Sequence, residues 1–67
     1  MTPIDSTWLD AHHYDPDARV LTVRYKNGDT YRHEDVPAEK VEAFTGAASP
    51  GSFYNSKIKS NHPGKKL

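Results

Sequence analysis

Four histidines, several closely spaced carboxylates and a set of aromatics interleaved with arginine and lysine are the residues of this chain that could do chemistry. Imidazoles at suitable spacing bind metal or move protons. His12 and His13 are adjacent, and on a strand adjacent side chains point to opposite faces, so they do not converge on one ion. His33 falls two strands away from His13, about 9–10 Å, which is too far for a shared metal. A structural or surface role is the expectation for all four, with no metal. The pairs Asp15/Asp17 and Glu34/Asp35 are acidic enough for paired-carboxylate catalysis, but they flank turns and element ends, where capping backbone amides is their ordinary use. No serine or threonine stands beside an obvious base, and no glycine-rich phosphate loop is present. Gly28 and Gly51 each have a local backbone explanation. With no cysteine, disulfides and thiolate metal sites are excluded. The reading is non-enzymatic, without cofactor.

Aromatics and bases are more suggestive of binding. Trp8, Tyr14, Tyr25, Tyr31, Phe53 and Tyr54 are many rings for a chain of 67 residues. Interleaved with Arg24, Lys26 and Arg32 on a sheet, they would form a platform for single-stranded nucleic acid. The competing expectation is that Tyr25 and Tyr31 face the core as cross-strand neighbours, with their hydroxyls at its edge and the bases on the opposite, solvent side. The net charge of zero conceals an asymmetry. Residues 1–50 carry five bases against nine acids, whereas residues 51–67 carry Lys57, Lys59, Lys65 and Lys66 with no acid. A basic tail on an acidic body suits a polyanion partner.

The elements that must position these groups follow from the pattern. Leu21, Val23 and Tyr25 alternate with Thr22, Arg24 and Lys26, the period of a half-buried antiparallel strand. Asn27-Gly28 then matches a type I′ hairpin turn, and Asp29 to Val36 returns as a further strand. Upstream, Trp8 to Tyr14 reads as a strand with untidy alternation, closed by the Asp15-Pro16-Asp17 turn. Helix is expected from Val36-Pro37, with proline at the first helical position, an apolar stripe at Val41, Phe44 and Ala48, and Gly46 as a C-terminal cap. Ser49-Pro50 begins a second short helix, with Tyr54 and Ile58 on one face. The expected fold is α+β: a three-stranded antiparallel β-meander followed by one α-helix packed on the sheet and a second short helix.

Size constrains this fold. Of 23 apolar residues, six are alanine and two are terminal, which leaves 15 sizeable side chains for a core. A chain this short buries only about 60% of its unfolded surface. No apolar run approaches the ~20 residues of a membrane span, and residues 1–5 lack a signal-peptide pattern. The organisation expected is a flexible N-terminus at 1–5, one domain at 6–59, and a basic flexible tail at 60–67, in the cytoplasm.

The ordered run Ser6-Thr7, Leu9, Tyr14-Asp15, Leu21-Thr22-Val23-Arg24-Tyr25, Asn27-Gly28, Tyr31-Arg32 and Val36-Pro37, then Phe44, Ala48-Ser49, Gly51, Phe53, Asn55 and Ile58, resembles the KTSC domain. That family takes its name from the C-terminus of some lysyl-tRNA synthetases, and small free-standing bacterial and phage members also exist. His33 stands where the family pattern Tyr-x-Tyr has its second aromatic. The resemblance implies a bacterial binding module and, through the tRNA-charging association, RNA as a ligand. Small polar residues from Ser49 through Gly51 to Asn55 are not needed for a core. They are therefore candidates for a binding surface, with Lys57, Lys59, Lys65 and Lys66 for phosphate contacts, Arg24 and Arg32 extending it, and the amides at the Ser49-Pro50 helix start as an anion site. The alternative is a protein-interaction module, acting on a larger cytoplasmic complex or as a monomer or weak homodimer through a sheet edge or aromatic patch.

Overall fold

A computed structural model describes all 67 residues. It holds a single antiparallel sheet in the order β1-β2-β3-β4-β5, with β1 at Thr2–Pro3, β2 at Leu9–Asp15, β3 at Val20–Tyr25, β4 at Thr30–His33 and β5 at Lys65–Lys66. The sheet is five-stranded rather than the expected three. The three-stranded meander is present as β2-β3-β4, and the two further strands come from the ends of the chain, residues whose sequence carries no strand pattern. β1 pairs Thr2 with His12 and Pro3 with Ala11, and β5 pairs Lys66 with Tyr31 and Lys65 with Arg32.

The meander departs from ideal pleating in two places. The register slips between Leu9 and Ala11. An extra residue in one strand places two side chains against one partner, so Leu9, Ala11 and His12 are all buried while Asp10 turns outward to Arg24. This bulge is the cause of the untidy alternation from Trp8 to Tyr14. The Asn27-Gly28 turn is also not type I′, because Gly28 alone has positive φ (97°). The Gly28 amide donates to the Tyr25 carbonyl at 3.0 Å and the Tyr25 amide to the Asp29 carbonyl at 2.7 Å. That is a type I turn closed by a left-handed glycine, the three-residue hairpin. At the other hairpin Asp15 Oδ1 accepts from the amides of Asp17 and Ala18 (3.0 and 3.3 Å), as its turn signal implies.

Helix α1 spans Ala38–Thr45, with Pro37 as an extended N-cap (φ −70°, ψ 152°) rather than the first helical residue. Val41 and Phe44 are buried, but the helix stops before Ala48, which is exposed and leaves the stripe. Helix α2, Pro50–Phe53, runs on into a π-helical segment, Tyr54–Lys59. Serine and asparagine side chains bond the carbonyls four residues back: Ser56 to Ser52 and Asn61 to Lys57, at 2.8 and 2.9 Å. Such bonds compete with the α-helical ladder, and here they accompany its widening. Tyr54 and Ile58 face inward as expected and join Leu9, Leu21, Val23, Val36, Val41 and Phe44 in one core. The helices cover one face of the sheet and leave the other open. No helix is long and apolar enough to cross a membrane.

Candidate functional site

The open sheet face is built by register. His13 pairs with Thr22, Thr22 with Arg32, and Arg32 with Lys65, so these four residues form a row across four strands. Arg24 lies two residues from Thr22 on the same face. Arg24, Arg32 and Lys65 are therefore brought together. Arg24 is paired with Asp10 at 2.7 Å and Arg32 with Glu34 at 3.5 Å, both exposed, and exposed pairs contribute well under about 1 kcal/mol and exchange readily. Lys66 points the other way, beside Tyr31, and pairs with Asp29 at 3.4 Å. Lys57, Lys59 and Asn55 are exposed on the π-helical segment. The expected basic surface is thus divided, because neighbouring residues on a strand face opposite ways.

The aromatic rings do not join the bases. Tyr25 stacks on Tyr31 at 4.8 Å, and Trp8 meets Tyr25 and Tyr54 edge-on at 5.2 and 5.6 Å. All four rings lie on the helix-covered side of the sheet, and Tyr54 is wholly buried. Tyr25 packs against the core as expected, Tyr31 is half-buried and stacks on Tyr25 at the margin of the core, and the interleaved platform does not form.

His33 is the polar centre of that core. It is fully buried. Its Nδ1 lies 2.6 Å from the His62 carbonyl and its Nε2 2.6 Å from the Tyr54 hydroxyl, which lies 2.7 Å from the Tyr25 hydroxyl. A carbonyl only accepts, so Nδ1 carries the proton. In the neutral ring Nε2 then accepts from Tyr54, and Tyr54 accepts from Tyr25. Burial lowers the His33 pKa, with His62 and Lys59 acting in the same direction against the raising effect of the His62 carbonyl. Burial likewise raises the Tyr54 hydroxyl, with its Tyr25 hydrogen bond adding to the rise. The sequence signal for this network is the histidine in the Tyr-x-His triplet at 31–33. Its partners His62 and Tyr54 are too distant along the chain for spacing to find.

His12 faces the core against Phe44, edge-on at 5.7 Å, whereas His13 is exposed on the opposite face. Burial lowers the His12 pKa, with His13 a smaller cause in the same direction.

Within the Ser49–Asn55 stretch Ser49 and Asn55 are exposed, as a surface role requires, but Gly51 is not. Gly51 is buried against the N-terminal segment. A Cβ there would press into Trp8 Nε1, and would lie 3.0 Å from Ser6 Oγ and 3.1 Å from Trp8 Cδ1. Its small size is a packing requirement. Ser6 Oγ is fixed in turn by accepting the Trp8 and Leu9 amides, each at 3.3 Å. Ser49 does not cap α2, since its hydroxyl donates to Ser52 Oγ at 3.1 Å. On either side of Pro50, between the N-terminal segment and the α1–α2 connection, lie two adjoining clefts of about 550 and 480 Å³ that share Asp5, Ala48 and Pro50. The first includes Ile4, His12 and Phe44, and the second Trp8, Lys26 and Ser52.

Comparisons with known proteins agree with this architecture. The KTSC domain family model matches residues 5–62. A protein of Tsukamurella paurometabola is 36% identical over 59 residues, covering 88% of each chain. An uncharacterized protein of Stutzerimonas stutzeri is 37% identical over 59 residues, 88% of this chain and 83% of its own. Among solved structures, the crystal structure of a KTSC domain protein from Yersinia pestis superposes with a TM-score of 0.90 at 31% identity, covering 98% of this chain and 93% of that one.

Proposed function

The chain belongs to the KTSC domain family, and from that premise we propose that it is a small non-enzymatic binding module whose ligand is RNA, held by its phosphates on the open sheet face. The supporting observation is the row His13, Thr22, Arg32 and Lys65 with Arg24 beside it, on the one sheet face that no helix covers. Because the rings face the core, recognition is through the backbone rather than base stacking. That predicts weak, sequence-tolerant and strongly salt-dependent binding. Lys57 and Lys59, on a separate surface, are not part of this contact. The non-enzymatic reading and a bacterial cytoplasmic setting belong to the same proposal.

The test is a salt titration of binding to a single-stranded RNA, with the parent chain and an Arg32→Ala/Lys65→Ala double variant. Two lost phosphate contacts reduce the slope of log K against log salt by about 1.4. No binding at low salt, or the same slope in the variant, refutes the reading.

The second reading, a protein partner, is favoured by the paired clefts around Pro50. A homodimer through a sheet edge has less support. Both edges are two-residue strands, one with Pro3 and the other with Lys65 and Lys66, and these are features that discourage edge pairing. A light-scattering mass above that of a monomer, lost on Ala48→Arg, would favour the cleft over the sheet face.

A further inference from the structure

The last eight residues cross the sheet edge like a strap, and their fastening is concentrated at two imidazoles. His62 is held three ways: its amide donates to the Ile58 carbonyl at 2.7 Å, its carbonyl accepts from His33 Nδ1 at 2.6 Å, and its Nε2 lies 2.9 Å from Lys40 Nζ. Lys40 is an ammonium and only donates, so His62 Nε2 must be an unprotonated acceptor. Two residues on, Gly64 packs against the His33 ring so closely that a Cβ would come within 2.6 Å of Cε1. Beyond this point the strap is lightly attached. It has the two-residue ladder to β4, a Leu67 amide donating to the Thr30 carbonyl at 2.9 Å, and the exposed Lys66–Asp29 pair.

We propose that residues 60–67 form a proton-sensitive strap, closed over the edge of β4 while His33 and His62 are neutral and lifted when they take up protons from solvent. A proton on His62 Nε2 removes the acceptor for Lys40 and sets two cations 2.9 Å apart. A proton on His33 Nε2 turns that atom from acceptor to donor. Tyr54 must then swing its own hydrogen toward Tyr25, and the charge lies in the core. Around His33 the titratable groups are Tyr54 and, through it, Tyr25 from β3, His62 from the strap, and Lys59 from the π-helical segment. Around His62 they are Lys40 from α1 and the His33 ring. Both lysines oppose a second positive charge. Lifting returns both imidazoles to water, bares the backbone of Tyr31 and Arg32 on β4, and withdraws Lys65 from the outer row. The inference does not depend on what the sheet face binds.

Amide hydrogen exchange on the whole chain between about pH 7.5 and pH 5, corrected for intrinsic rates, tests it. With an ordinary imidazole pKa for His33 once the strap lifts, the opening constant read at the Leu67 and His62 amides rises by up to about 30-fold through that residue, and further where a proton on His62 breaks its hydrogen bond with Lys40. The β2–β3 ladder amides, which open only with the whole chain, remain the better protected set at both pH values. His62→Gln keeps an acceptor for Lys40 but cannot take a proton, so it removes the His62 share of the rise while leaving protection at neutral pH. Should His33→Gln fold, it removes the remainder. The proposal is overturned if strap protection does not change with pH, if the strap amides are as well protected as the β2–β3 amides at both pH values and so open only with the whole chain, or if His62→Gln leaves the pH dependence unchanged.

Discussion

Replacing Gly51 by alanine measures whether this residue is a packing requirement or a binding feature. The added Cβ meets the five-membered ring of Trp8 at Nε1 and Cδ1, and Ser6 Oγ at 3.0 Å. Neither neighbour can easily withdraw. The indole is wedged between Tyr25 and Tyr54, with ring centroids 5.2 and 5.6 Å away, and Ser6 is fixed by two amides. Overpacking costs about 1–3 kcal/mol, and this lack of give argues for the upper half of that range. At ~4–8 °C per kcal/mol for a domain of this size, Gly51→Ala should lower Tm by roughly 10–20 °C. Trp8→Phe removes the ring that the Cβ strikes. In that background the alanine should cost under about 0.5 kcal/mol, a coupling energy of at least ~1 kcal/mol in the double-mutant cycle. Urea unfolding followed by circular dichroism suits all four proteins, since two of them lack tryptophan. The packing argument fails if Gly51→Ala alone is within about 0.5 kcal/mol of the parent, or if the two substitutions add.

Three further outcomes follow from the core. Tyr54→Phe removes the hydroxyl between Tyr25 and His33 and leaves Nε2 buried without a donor, a loss of about 1–3 kcal/mol in denaturant unfolding; an unchanged midpoint would contradict a stabilising Tyr54–His33 hydrogen bond. His33 and His12 both have pKa values lowered by folding, so the unfolded chain binds protons first. Their contribution is complete above the unfolded value of about 6.5 and is lost as pH falls below it toward the folded values; a Tm flat from about pH 7.5 to 5 would contradict this. Phe44→Ala empties the centre of the core, and at about 3–5 kcal/mol it should leave a chain this small largely unfolded by circular dichroism.

The strand pattern of β3 and the hairpin beside it are legible because one buried face imposes a period of two on contiguous residues. The pattern of β2 is blurred because a bulge adds a residue, which periodicity cannot distinguish from noise. β1 and β5 leave no trace, since two residues cannot show a period and their pairing is supplied by β2 and β4. Charge was countable, but its sidedness was not. Lys65 and Lys66 look alike in sequence, and only register sends one to Arg32 and the other to Tyr31. Gly51 reads as a small polar-surface residue because its reason for being small, Trp8, is 43 positions away.

The sheet order equals the chain order, and this has a consequence for how the molecule is made. Every strand except the first can pair with one already present when it emerges from synthesis, and the loops closed within the β2-β3-β4 meander are short. Local closure is entropically cheap and favours fast folding. β5 is the exception, because its segment must return across both helices to reach β4. The strand added last in synthesis is therefore also the one with the longest loop to close, and its landing site is marked by a buried imidazole.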